Sequence, residues 1–100
     1  MSMASATEIG TLIERDPKIR GGRPKIAGTG ITVMRIAGWY KTGMTPEEIV
    51  LEYGHLTLAQ VHAALAYYHS NVDEIEADLA QEQADELYWE QKLGAKTTRP

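Results

Sequence analysis

Cysteine and phenylalanine are absent from this 100-residue chain. Without cysteine there is no disulfide, no thiolate nucleophile and no cysteine-ligated metal site. No long apolar run is present, so no segment is suited to cross a membrane as a helix. Met1–Ala6 has neither the basic region nor the apolar region of a secretory signal, and a cytoplasmic protein is the expectation. With phenylalanine missing, aromatic burial falls to Trp39, Trp89 and five tyrosines. Gly-x-Ser-x-Gly and His-Glu-x-x-His are also missing, and the glycines of 16–33 lack the Gly-Lys-Ser/Thr ending of a phosphate loop. The expectation is therefore a protein without a cofactor that is not an enzyme.

Charge of one sign is nearly absent from each of two segments. Residues 15–41 hold Arg15, Lys18, Arg20, Arg23, Lys25, Arg35 and Lys41 against Asp16 alone, a net +6. Residues 71–91 hold eight carboxylates and no base, a net −8. Such segregation suggests two surfaces with different partners, against the simpler reading that both sets are solvated.

What is present most clearly is a run of helix starts. Thr45-Pro46-Glu47-Glu48 offers a capping hydroxyl, proline at the first helical position and glutamate three residues after the cap. Thr57-Leu58-Ala59-Gln60 repeats the capping box, and Asn71-Val72-Asp73-Glu74 repeats it again. Helices are predicted from about 46, 58 and 72. The first two, separated by Tyr53-Gly54-His55-Leu56, stand at helix-turn-helix spacing.

Upstream, Val33, Ile36, Ala37 and Tyr40 recur at helical spacing, and Gly43 terminates that helix. Residues 16–33 place single apolar anchors between turn signals, with Pro24 excluding helix, and read as a meander of very short strands. The third helix carries Leu58, Val61, Leu65 and Tyr68 inward and turns Ala59, Gln60, His62, Ala63, Ala66 and His69 outward. The fourth runs from Asn71 to about Leu93. Its stripe of Val72, Ile75 and Leu79 fades, Ala80, Ala84 and Leu87 drift to another face, and Tyr88, Trp89 and Leu93 form an apolar end. That end either folds back on the domain or docks on another chain, and docking is the expectation. The fold class is mainly α, with a short N-terminal β-ribbon, a helix-turn-helix-type bundle and a long C-terminal helix. Residues 1–70 form the domain; 71–100 form an acidic helix and basic tail that act as a partner-binding arm.

Residues 13–69 resemble the family known as domain of unknown function 433, which includes antitoxins of the VapB kind. The resemblance lies in Asp16-Pro17, Gly21-Gly22, Pro24, Ile26, Gly28-Thr29, Ile31 and Val33. It continues through Gly43-Met44-Thr45-Pro46-Glu47-Glu48-Ile49, Tyr53, Leu56-Thr57, Val61, Ala63-Ala64-Leu65 and Tyr67-Tyr68. It implies a small β-ribbon followed by a homeodomain-like or winged-helix-like bundle. For some relatives it implies a DNA-binding antitoxin paired with a PIN-domain ribonuclease. Two positions depart from the family: Gly30 stands where arginine usually follows Gly-Thr, and Gly54 where proline often follows the tyrosine.

The expected function is a DNA-binding, antitoxin-like transcriptional regulator acting on its own promoter as a homodimer and neutralising a PIN-domain toxin. The alternative is an interaction or dimerisation module without nucleic acid. Thr57, Gln60 and His62 open the predicted recognition helix, and glutamine can read adenine. That helix has no lysine or arginine, and phosphate neutralisation dominates DNA affinity. The charge must therefore come from Arg20, Arg23 and Lys25 on the ribbon and Arg35 and Lys41 on the first helix. Leu87, Tyr88, Trp89 and Leu93 are the predicted partner contacts. His62 and His69 lie two helical turns apart, about 10.5 Å, too far to share one metal ion.

Overall fold

The computed structural model of the chain describes residues 8–94. The expected fraying of residues 1–7 and the basic tail of 95–100 lie outside the described residues. The architecture is mainly helical with one two-stranded antiparallel ribbon, as the sequence predicts. A turn of 3₁₀-helix at Ile9–Leu12 leads into β1 (Ile13–Glu14), which pairs with β2 (Lys25–Ile26). Four helices follow: α1 (Val33–Lys41), α2 (Pro46–Tyr53), α3 (Leu58–Ser70) and α4 (Val72–Gly94).

Local chemistry fixes where the helices begin. Thr45 Oγ1 accepts from Glu48 N at 3.1 Å while Glu48 Oε1 accepts from Thr45 N at 2.8 Å. Thr57 and Gln60 form the same reciprocal pair at 3.1 and 2.7 Å. Each box satisfies two of the amide donors that a helix start leaves open. A further cap comes from Thr32, whose hydroxyl accepts from Arg35 N at 3.1 Å and starts α1. Gly43, at φ 105°, turns the chain out of α1 in a conformation that side chains oppose.

The third predicted box does not form. α3 runs to Ser70 and α4 begins at Val72, so Asn71 serves the end of α3. Its backbone N–H donates to Tyr68 O at 3.1 Å and its side-chain amide donates to Tyr67 O at 3.0 Å. Glu74 turns away to Arg15 and to the Tyr67 hydroxyl.

α3 is the central element, in contact with the other three helices and the ribbon. Val61, Leu65 and Tyr68 are buried as predicted, but Ala63 is buried too, and Leu58 is partly exposed. A helix packed on several sides buries more than the single stripe its periodicity shows. The core joins Ile26, Val33, Ile36, Ile49, Leu56, Val61, Leu65 and Ile75.

Ile75, fully buried, brings the first turns of α4 into this core, with Leu79 packed beside it. Gly38 of α1 lets α4 lie close, since a Cβ there would stand 3.4 Å from Leu79 Cδ2. The packed part of α4 thus reaches well past residue 71, the expected start of the arm. From Gln83 to Leu93 every residue is exposed. None of the helices among the described residues is long and apolar enough to cross a membrane.

Candidate protein and nucleic-acid interface

The two opposite charge blocks meet inside one molecule. Arg15 pairs with Glu74, Lys41 with Glu76 at 2.7 Å, and Arg23 with Asp78 and Glu82 at 3.6 and 3.7 Å. These pairs join the ribbon region and α1 to the first half of α4. The Glu76 carboxylate is held below its ordinary pKa, first by Lys41 and then by the Tyr68 hydroxyl, which donates to it at 2.7 Å. Lys41 is raised by the same contact, and Arg15 by its bond to Glu74. Tyr67 is raised first by burial and then by donating to Glu74. Asp78 is pushed up by burial, with Arg23 opposing, and its Oδ2 is buried without a hydrogen-bond partner.

Lys25 is more deeply committed. It stands opposite Glu14 in the ribbon, its side chain is only 2% exposed, and its ammonium donates to Glu14 Oε2 at 2.5 Å and Thr29 O at 2.8 Å. Glu14 is held below its ordinary pKa first by this lysine and then by the Gly28 amide. The ammonium ties the β-turn to the ribbon and has no path to a phosphate in this arrangement.

Of the bases predicted to meet DNA, Arg23 and Lys41 are therefore engaged by α4 and Lys25 is buried. Arg20 and Arg35 remain exposed. Arg20 has an unusual backbone for an arginine, φ 53°, followed by Gly21 and Gly22 at 66° and 79°. This left-handed run swings its side chain over the ribbon, where Nε donates to Gly30 O at 3.0 Å. A Cβ on Gly30 would lie 3.6 Å from Arg20 Nη2. The glycine at this departure from the family thus sits directly under another guanidinium. The Arg35 guanidinium has no hydrogen-bond or ion-pair partner among the described residues. It lies near the Tyr53 ring, whose hydroxyl pKa is raised by burial and lowered in part by that arginine.

Arg20, Arg23, Arg35, Thr32, Ile31, Met34 and Tyr53 line an open cleft of about 420 Å³ between the ribbon, α1 and α2. Glu82 closes its side, at the point where α4 leaves the domain. The charge pattern of the sequence does not single out this cleft, because its apolar walls come from three separate elements.

The start of α3 is occupied by its own cap. Gln60 Oε1 and Thr57 Oγ1 each already accept a backbone amide. His62 is exposed beside them. His55 contacts Tyr53 O through Nδ1 at 2.7 Å, and His69 stacks edge-on against Tyr40 with ring centroids 5.7 Å apart. No group of three histidine or carboxylate side chains among the described residues is placed to hold a metal ion.

At the far end of α4, Leu87, Tyr88 and Trp89 are 58%, 51% and 56% exposed, and Leu93 is 49% exposed. Tyr88 and Trp89 meet edge to face at 5.1 Å, and Lys92 Nζ lies 5.3 Å over the Tyr88 ring. The predicted contact residues thus share one exposed helix end.

Among solved structures, the crystal structure of a DUF433 member protein from Anabaena variabilis is similar to this chain. Its TM-score is 0.67 at 24% identity, over 79% of this chain and 90% of that one, and the likeness concerns the fold. No curated protein matches the chain. The model of the family described as "Protein of unknown function (DUF433)" matches residues 13–68, which spans the ribbon and α1 to α3. The chain belongs to that family.

Proposed function

We infer that the protein is a protein-interaction module of the antitoxin-like kind, which binds through the outer half of α4. One observation carries this reading: Leu87, Tyr88 and Trp89 are more than half exposed on a helix whose inner half is sealed to the domain. Holding large apolar side chains in water gives no folding benefit, whereas aromatics of this kind anchor interfaces. The carboxylates of the outer half favour a partner surface that is basic as well as apolar.

The resemblance to antitoxins supplies one candidate partner, a PIN-domain ribonuclease encoded beside this gene. Co-expression with the neighbouring gene product, read together with light scattering of the chain alone, tests the reading. Trp89→Ala is expected to remove association with that product or with a second copy, without unfolding the domain. If Trp89→Ala and removal of residues 83–100 leave every association unchanged, the outer half of α4 is not an interaction element.

A second reading, DNA binding at the protein's own promoter, draws on a separate observation. Arg20 and Arg35 remain exposed at a cleft that Tyr53, the last residue of α2 in the helix-turn-helix-type pair α2 and α3, helps to line. Retardation of promoter DNA at low salt supports it, provided that neutralising Arg20 and Arg35 weakens binding on all sequences. The salt slope is then expected to flatten by about one unit for each phosphate that the variant no longer neutralises. Absence of retardation leaves the interaction module alone.

A further inference from the structure

The face that α4 buries does not end where the domain ends. Glu86 and Trp89 follow Ile75 by 11 and 14 residues, which at about 3.6 residues per turn is close to whole turns. The same face therefore carries Ile75 and Leu79 into the core, sets Glu82 and Glu86 along a shallow groove with Arg35 and Trp39 of the same molecule, and then presents Trp89 beyond it. Glu90 flanks this stripe. Trp89 lies seven residues past Glu82, about 10 Å farther along a continuous helix. It cannot turn back into the cleft that Glu82 borders.

That cleft has the complementary character. Ile31 and Tyr53 give it apolar patches; Arg23 at its edge is paired with Asp78 and Glu82 of α4, while Arg20 and Arg35 give it positive charge without an ion pair to α4 among the described residues. The outer arm carries Asp85, Glu86 and Glu90 against Lys92, with an exposed tryptophan among them. Acid and aromatic on the arm thus match base and apolar wall on the body. Arm and cleft adjoin on the same side of α4, the arrangement that a reciprocal exchange between two copies requires.

We propose that the Arg20–Arg35 cleft of one molecule receives the outer half of α4 from a second copy, and gives its own arm in return. The proposal rests on the interaction reading of the arm and names its occupant. Trp89 of each copy packs on Ile31 and Tyr53 of the other, while Glu90 faces Arg20 and Arg35. A twofold axis makes the two contacts identical and sets the two α4 helices antiparallel. Because every contact occurs twice, each arm and cleft together need to remove only about 800 Å² from water to reach an interface of ordinary size.

Sedimentation velocity of the full chain over a range of concentrations tests the exchange. The wild type is expected to be a dimer. Trp89→Ala disables the arm and Arg35→Glu disables the cleft, and each is expected to raise the dimer dissociation constant at least tenfold. Both positions are exposed, and circular dichroism checks that each variant remains folded. Mixing the two variants is the decisive step. One intact arm then meets one intact cleft, so a heterodimer forms at concentrations where either variant alone is monomeric. A monomeric wild type overturns the exchange, as does a dimer indifferent to Arg35→Glu or a mixture that stays monomeric. If the monomeric wild type still binds the neighbouring gene product in a Trp89-dependent way, only the exchange falls and the interaction reading stands. If Trp89→Ala alters neither association, both fall.

Discussion

Within α4, Val72–Glu82 carries five carboxylates, and residues 83–94 carry three with one lysine. In the first stretch Glu74, Glu76, Asp78 and Glu82 all face cations of the ribbon region or α1. In the second, Asp85 meets only the Gln81 amide, at 3.0 Å, from its own helix. The first stretch is the more acidic, a net −5 against −2, yet its carboxylates pair at the surface and do not by themselves bury a helix. The difference is apolar: Ile75 and Leu79 face α1 and the core, whereas Trp89 faces solvent at 56% exposure. Exposed ion pairs contribute roughly 0–1 kcal/mol each, so the pairs choose the register of α4 while burial holds it there.

The largest expected effect removes the apolar anchor of the inner half. Ile75→Ala is expected to cost about 2–5 kcal/mol in chemical denaturation, because it deletes most of a fully buried aliphatic side chain. A cost near zero would mean that α4 is not part of the core at all. Next comes Arg23→Ala, which leaves the partly buried Asp78 carboxylate without its nearest cation. The expected cost is about 1–3 kcal/mol, accompanied by a further rise in the Asp78 pKa that NMR titration can follow.

pH separates the two halves in another way. Glu14 and Glu76 have lowered folded pKa values, so their contribution is complete above the ordinary carboxylate value and disappears as pH falls through the lowered one. Asp78 has a raised value, so its protonation relieves a buried charge and opposes that loss. Lys41, raised by Glu76, contributes below the ordinary lysine value and loses its contribution as pH rises through the raised one. Trp39 near-ultraviolet dichroism, in a Trp89→Ala background, is therefore expected to hold steady from about pH 5 to about pH 9 and to change outside that window. The smallest effect belongs to the outer half: Trp89→Ala is expected to leave the stability of the dilute monomer within about 0.5 kcal/mol. A large loss there would place the tryptophan in the fold rather than at an interface.

Much of the fold could be read from local chemistry. The boxes at Thr45 and Thr57 use atoms three residues apart, so sequence alone contains everything they need. The third box does not form because Asn71 is claimed by the end of α3, a neighbour that helix-start patterns leave out. The site was less legible, because a sequence shows the sign of a charge and not its distance to the next. Arg15, Arg23 and Lys41 read as a surface for another molecule, yet they meet carboxylates 35 to 59 residues away in the same chain. Lys25 reads as an exposed base because nothing local shows that Glu14 and Thr29 enclose it. The apolar end of α4 is visible as composition, but its continuity with the Ile75 face emerges only once the helix is seen to run unbroken.

Hydrogen exchange along α4, measured residue by residue at two protein concentrations, tests the division of this helix most directly. The expected result is a step near Glu82. Amides of 75–82 exchange slowly, close to the global unfolding limit, at both concentrations. Amides of 86–93 exchange fast in dilute protein and slow down as the concentration rises, because a partner copy then covers them. Uniform protection from 75 to 93 that ignores concentration would contradict the division and return the whole helix to the core.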